Sequence, residues 1–252
     1  MRSANQLSVG QAREYDERGV YPTAAGLPPR GTHRAQRGAP VMTTGLKAVT
    51  FAGPAGSLEG LWKQAHGPRL GSAVFAHPHP LHGGTLHNKV VFRAARALTA
   101  AGYATLRFNF RGVGLSRGRY DAGRGEVEDF RAALDEAHRL GGLPIVAGGF
   151  SFGAAAALRA IGADERVVAL VAAGLPVATE FGANLAKPQV PAIFISGERD
   201  TFSPPALLAD LAGDSSEIVV VPGADHFFEG KLPEFGRAIA RFLAELSATV
   251  QP

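Results

Sequence analysis

The chain contains no cysteine. That excludes a disulfide scaffold, thiolate ligation of zinc or iron–sulfur clusters and a thiol nucleophile, so its chemistry must run on oxygen and nitrogen, while the redox compartment is left unmarked. Long apolar runs are also missing. The richest stretches, Ile145 to Leu158 and Val167 to Ala178, are broken by Gly, Ser or Pro and fall short of a membrane span. Nor is there a large excess of one charge: 26 Lys and Arg stand against 22 Asp and Glu. Residues 1–41 hold six of the Arg and three of the acids, and the rest of the chain carries 20 basic groups against 19 acidic ones. No basic body exists to follow a phosphate backbone, which excludes nucleic acid as a partner. With 46% hydrophobic and 19% charged residues in 252, the balance is that of one soluble globular domain, with or without a tail.

The tail is residues 1–41. Its four prolines, five glycines and scattered aliphatics cannot bury enough apolar surface to offset the entropy of ordering, so it reads as disordered. It lacks the apolar core of a secretory signal, and Glu14, Asp16 and Glu17 interrupt the arginines a transit peptide would need. The second of the two methionines, Met42, stands where patterned sequence begins, which suggests synthesis starting there and a cytoplasmic protein.

From 42 to 252, short β-branched runs alternate with longer Ala/Leu/Arg stretches of helical period, the pattern of a single α/β domain. Strands are predicted at Ala48–Ala52, Leu58–Gln64, Ser72–Ala76, Ala104–Phe110, Pro144–Gly149, Val167–Ala172, Ala192–Ser196 and Glu217–Val221. The first pair, split by Gly53-Pro54-Ala55-Gly56, reads as an edge hairpin. Helices are predicted at His87–Ala100, Glu126–Arg139, Phe152–Ile161, Pro205–Ala212 and Leu232–Leu246. The result is an eight-stranded, mostly parallel sheet with helices on both faces. The short interval from Ala172 to Ala192 leaves room only for a minimal lid.

Ligands of such a sheet sit beyond the carboxyl ends of its strands. There the chain reads His77-Pro78-His79-Pro80-Leu81-His82-Gly83-Gly84, Arg111-Gly112-Val113-Gly114-Leu115-Ser116, Gly149-Phe150-Ser151-Phe152-Gly153, Gly197-Glu198-Arg199-Asp200 and Pro222-Gly223-Ala224-Asp225-His226. In a chain with 32 glycines, Gly-x-Ser-x-Gly alone is a weak signal. Its context is stronger: it joins the apolar run Pro144-Ile145-Val146-Ala147 to the small helix start Ala154-Ala155-Ala156-Ala157, as a sharp strand-to-helix turn around a strained nucleophile requires. A serine hydroxyl also needs a base held in one tautomer by an acid. The chain supplies Asp200 and then His226, in the order Ser, acid, His.

That order, each member on a loop after its own strand, resembles the α/β-hydrolase superfamily. The blocks from His77 to Gly84 and from Arg107 to Gly114 resemble a small bacterial, dienelactone-hydrolase-like branch with a His-Pro-His-Pro oxyanion loop. The resemblance implies a catalytic Ser151, Asp200 and His226. It favours Asp200, three residues after Gly197, over Glu198 on the same turn; Asp225 reads as a loop cap. One oxyanion donor should be the Phe152 N–H. The other comes from the His77 loop, where proline has no N–H and His79, Leu81 and His82 remain. The resemblance points to His79, with His77 holding the loop backbone. The Phe152 ring lines an acyl pocket or belongs to the core.

Arg111-Gly112-Val113-Gly114 lacks nucleotide-loop spacing and reads as a tight turn anchored by Arg111 and Asn109, with Arg107 and Arg111 as candidates for an acidic substrate group. Two other functions compete. His77-x-His79-x-x-His82 has the spacing of binuclear metallo-hydrolases, although Leu81 stands where those sites use Asp. A catalytically silent hydrolase fold could bind a ligand instead. The favoured expectation is a serine hydrolase that needs no cofactor or metal, acts on a small-molecule ester or thioester through an acyl-enzyme, and has no membrane partner.

Overall fold

The computed structural model describes residues 45–162 and 164–250. The expectations about residues 1–41 and a start at Met42 lie outside the described residues.

A hairpin of β1 (Leu46–Gly53) and β2 (Gly56–Lys63) forms one edge of an eight-stranded sheet. β3 (Gly71–Ala76), β4 (Tyr103–Phe108), β5 (Ile145–Phe150), β6 (Val167–Ala173), β7 (Ala192–Gly197) and β8 (Ser216–Val221) complete it in the order β1-β2-β4-β3-β5-β6-β7-β8. β2 pairs antiparallel with both neighbours, and every pairing from β4 to β8 is parallel. Every residue of β3, β4, β5 and β7 is buried, which is why their sequences are continuous apolar runs: helices cover both faces.

α1 (Lys89–Ala100) and α5 (Leu232–Val250) cover one face; α2 (Arg124–Gly141), α3 (Phe152–Ile161) and α4 (Pro205–Leu211) cover the other. α1 turns Val90, Val91, Ala94 and Leu98 onto β3 and β4, one apolar stripe of helical period. It starts at Lys89 rather than His87 because the Asn88 side chain accepts the Val90 N–H at 2.9 Å. α2 starts two residues before the predicted Glu126, whose carboxylate accepts the N–H groups of Asp121 and Gly123, both at 2.9 Å, and so allows the helix to begin at Arg124. β4 ends at Phe108, not Phe110: the Asn109 N–H still reaches Glu59 O on β2, but the next N–H, that of Phe110, is taken by the side chain of His77 at Nε2 instead of by a strand.

The topology decides where a site can form. From β3 the chain crosses by α1 to β4 on one side, then by α2 to β5 on the other side of β3. α1 and α2 lie on opposite faces, so the crevice opens at the carboxyl ends of β3 and β5. Those ends carry the His77 loop and Ser151. Between β6 and β7 there is only a loop with one 3-10 turn, Glu180–Gly182, so among the described residues nothing covers the crevice as a lid.

Candidate active site

Ser151 stands between β5 and α3 with φ 55° and ψ −122°, a left-handed conformation costly for a residue with a Cβ. The surroundings enforce it. The Ser151 N–H donates to Ala173 O at 2.8 Å, and its carbonyl accepts from Ala154 and Ala155 to start the helix. The flanking glycines are required by contact: a Cβ on Gly149 would lie 2.3 Å from the Gly153 backbone, and one on Gly153 would lie 2.4 Å from His77 O. The hydroxyl is thereby pushed out at the sheet's rim, toward His226.

Ser151 Oγ lies 3.0 Å from His226 Nε2, and His226 Nδ1 lies 2.8 Å from Asp200 Oδ2. His226 is 8% exposed and Asp200 4%, so this chain of polar atoms is largely out of water, where its electrostatics are weakly screened. The other carboxylate oxygen, Asp200 Oδ1, accepts the N–H groups of Phe202 at 2.9 Å and Ser203 at 3.0 Å, which fixes the acid's rotation. The imidazole is walled by the rings of Phe150, Phe202 and Phe227, with centroids 5.0, 4.8 and 5.3 Å away. Gly174 makes room for it, since a Cβ there would meet His226 Cε1 at 3.0 Å.

The rival acids face elsewhere. Glu198 is exposed and its Oε2 accepts the Gly223 N–H at 2.7 Å. Asp225 Oδ1 accepts from Phe227 at 3.1 Å and Glu229 at 2.9 Å, capping its own loop.

His77 is fully buried. Its Nδ1 lies 2.6 Å from Pro78 O and its Nε2 accepts the Phe110 N–H at 3.1 Å, so the ring is the neutral Nδ1–H tautomer, tying the ends of β3 and β4 together. Burial pushes its pKa down to about 4, with a smaller contribution from nearby His79 in the same direction. His79 is set differently. Its Nδ1 accepts the Leu81 N–H at 3.2 Å, which leaves the ring proton on Nε2, facing the Tyr120 hydroxyl at 3.1 Å. Burial and then His82 lower its pKa, while Glu180 acts the other way. Both ring nitrogens of His77 have backbone partners, and among the described residues no group of three or more metal-ligating side chains converges. The His77/His79/His82 spacing therefore does not become a ligand set.

The backbone N–H groups of His79 and Phe152 take no acceptor among the described residues. The Phe152 ring is buried in the core, and with His79, Tyr120 and Phe181 it forms one aromatic wall, centroids 5.0–6.1 Å apart. Tyr120 and Phe181 escaped sequence reasoning because each sits in an irregular segment with no periodicity or motif to mark it.

The suggestion that Arg107 and Arg111 bind an acidic substrate group is corrected. Arg111 is committed to Asp129, donating through Nε at 2.9 Å and through a terminal nitrogen at 2.8 Å, while Asp129 also accepts the Arg111 N–H. Arg107 is buried, donates to Leu86 O at 3.0 Å and lies over the Phe92 ring. Burial lowers its pKa to about 10. Asn109 does anchor the turn, bonding Glu59, Leu86 and Ser116.

A lidless mixed sheet with a strained serine between its central strand and the following helix is the architecture of the α/β hydrolases. Residues 79–178 match the family model described as serine aminopeptidase, S33. An uncharacterized protein of Rickettsia prowazekii is 35% identical over 81% of this chain and 91% of its own length. An α/β serine hydrolase homologue from Coxiella burnetii is 38% identical, with a TM-score of 0.72 over 81% of this chain and 99% of that one. A lidless α/β serine hydrolase from Xanthomonas campestris is 32% identical, with a TM-score of 0.73 over 82% and 97%. The chain belongs to the α/β serine hydrolase family. Among the described residues no helix is long and apolar enough to cross a membrane.

Proposed function

We propose that the protein hydrolyses a carboxylic ester or thioester of a small molecule, in the cytoplasm, with Ser151 as nucleophile, His226 as base and Asp200 as the acid that orients it. The observation that carries this reading is the unbroken polar chain Ser151 Oγ to His226 Nε2 to Asp200, at 3.0 and 2.8 Å. Asp200 accepts the hydrogen bond of the Nδ1–H, which keeps the ring proton on Nδ1 and leaves Nε2 free to take the serine proton as Oγ attacks the acyl carbon. Negative charge then gathers on the former carbonyl oxygen. The N–H groups of Phe152 and His79 are assigned to that oxyanion; neither has an acceptor among the described residues, and both belong to rigid backbone. The tetrahedral adduct collapses, and His226 returns its proton to the departing oxygen or sulfur. Water, deprotonated by the same imidazole, then attacks the acyl-serine and releases the acid. The likeness of the His77 loop to the dienelactone-hydrolase-like branch supports the choice of His79, and the S33 match, which ends at residue 178, leaves the acid and base to this geometry.

The test is labelling by a fluorophosphonate together with turnover of nitrophenyl esters and acyl thioesters. The wild-type protein should be labelled at Ser151, and Ser151→Ala should lose both labelling and turnover. Unlabelled, inactive wild-type protein would instead support a ligand-binding hydrolase fold.

A further inference from the structure

We infer that the cleft behind the aromatic wall is an acyl-chain subsite that recognises a carboxylate through Arg159, so that the preferred substrates are half-esters or half-thioesters of dicarboxylic acids. The inference rests on the proposed hydrolase reading for its orientation. A leaving group must lie within reach of His226 Nε2 to receive its proton. The part of the substrate on the opposite side, over Phe152 and His79, is then the acyl chain. In that direction Tyr120 and Phe181, whose rings touch both His79 and Phe152, also line a cleft of about 590 Å3, within the roughly 300–1,000 Å3 of small-molecule sites. Val127 and Phe181 give it apolar lining.

Its charged residues are not equivalent. Arg124 pairs with Asp121 at 3.1 Å, and Arg131 pairs with Glu128. Arg159 differs: it is half-buried, donates one N–H to Ala183 O at 3.0 Å, and has no carboxylate partner among the described residues. Burial alone lowers its pKa, without any acid acting in the other direction, so the charge is partly desolvated and left uncompensated. Glu180, the remaining acid of the cleft, acts instead on His79 and Tyr120 and thus sits at the wall. A guanidinium offers five donors in a planar fork that matches a carboxylate. Helical side chains lean toward the helix N-terminus, so Arg159 on α3 reaches back toward the loop of Phe181 and the end of the helix that carries Ser151. Seven residues of helix separate its root from Phe152, about 10 Å along the axis, which sets the acid group several carbons from the reacting carbonyl.

The experiment compares nitrophenyl half-esters of glutarate, adipate and suberate with neutral nitrophenyl esters of equal chain length. The wild-type ratio of kcat/KM, half-ester over neutral, should exceed unity for at least one length. Arg159→Gln should lower that ratio by about tenfold to a hundredfold, the worth of a charged hydrogen-bonded contact, and Arg159→Lys should restore part of it. A wild-type ratio at or below unity for every length, or a ratio that Arg159→Gln leaves unchanged, overturns the inference. Calorimetric binding of free suberate gives a readout independent of turnover. It should be seen with the wild-type and Ser151→Ala proteins and be lost in a folded Arg159→Gln protein. Binding by a protein that hydrolyses no ester would sink the hydrolase reading and keep the subsite. Hydrolysis of neutral esters with no half-ester preferred at any length and no suberate binding would do the reverse.

Discussion

The substitution Asp200→Asn separates the proposed orienting role of the acid from its structural role. Both backbone donors, Phe202 N–H and Ser203 N–H, point at Oδ1, and His226 Nδ1 faces Oδ2. An asparagine keeps its carbonyl oxygen toward the two backbone donors and presents its NH2 to the imidazole. Nδ1 must then accept, and the ring proton moves to Nε2, where it points at Ser151 Oγ instead of receiving from it. The loop survives and the base is lost. The expected fall in kcat is about 10⁴-fold, as for a triad held in the wrong tautomer, equivalent to about 5 kcal/mol of barrier. Unfolding free energy should change by only about 1–2 kcal/mol, since one charged hydrogen bond becomes a neutral one. Asp200→Ala should behave differently in stability, because it strands two donors around a buried site, at about 1–3 kcal/mol each. The assay is steady-state hydrolysis of a nitrophenyl ester, with urea unfolding of the same preparations. Glu198→Gln is the internal control, since an amide oxygen can still accept the Gly223 N–H, and kcat should stay within about twofold. An Asp200→Asn enzyme within tenfold of wild type, or a larger loss in Glu198→Gln, would refute the reasoning.

His77 should make the fold acid-sensitive. Its pKa is about 4 when folded against an ordinary 6.5, so above pH 6.5 it is neutral in both states, and below that the unfolded chain binds the extra proton. Stability should therefore fall by about 3 kcal/mol between pH 6.5 and 4, and His77→Gln should flatten that part of a urea-derived stability curve; parallel curves would reject the assignment. Gly153→Ala should destabilise by about 1–3 kcal/mol or more, because its Cβ would lie 2.4 Å from His77 O, whereas Gly213→Ala, with no neighbour nearer than 3.8 Å, should be close to neutral in the same thermal melts. Asp129→Asn should cost about 1–3 kcal/mol by denaturant titration, since the Arg111 guanidinium loses its hydrogen-bonded carboxylate and keeps only the weaker attraction of Glu126 and Asp121.

What could be read from the chain, and what could not, divides along the range of the interactions. The inner strands were legible because burial on both faces leaves no alternation, only apolar runs such as Ala192–Ser196, and the first helix because Val90, Val91, Ala94 and Leu98 repeat at helical spacing. Boundaries moved where a single side chain intervened, as Asn88 and Glu126 do at the starts of α1 and α2. The residues after each strand could be singled out from the chain alone, since a parallel sheet gathers its carboxyl ends on one rim. Which acid on the Gly197 turn meets the imidazole was not legible from spacing, because Glu198 and Asp200 differ only in the direction the turn gives their side chains. Nor could the destination of Arg111 be seen, because Asp129 approaches it from a helix that begins thirteen residues later in the chain. Tyr120 and Phe181 meet His79 only through packing between loops, which leaves no periodic trace.

The histidine that takes no part in the proposed proton transfer explains how the two proposed oxyanion donors keep their positions. His79 follows β3 and Phe152 opens α3, so their separation depends on how the ends of two strands and one helix are joined. His77 joins them. Its Nε2 holds the Phe110 N–H beyond β4, its Nδ1 holds Pro78 O, and its own carbonyl is the surface against which Gly153 fits. A protonated His77 could no longer accept from Phe110, and a side chain at 153 would push α3 away from the loop. Either change would separate the N–H of Phe152 from that of His79 before it touched Ser151, His226 or Asp200. Oxyanion stabilisation depends on donors fixed before charge develops, so a shift of a few tenths of an ångström there costs rate while leaving the polar chain of the triad intact. The burial that lowers the pKa of His77 keeps its ring neutral through the working range of such an enzyme, and so keeps that joint closed.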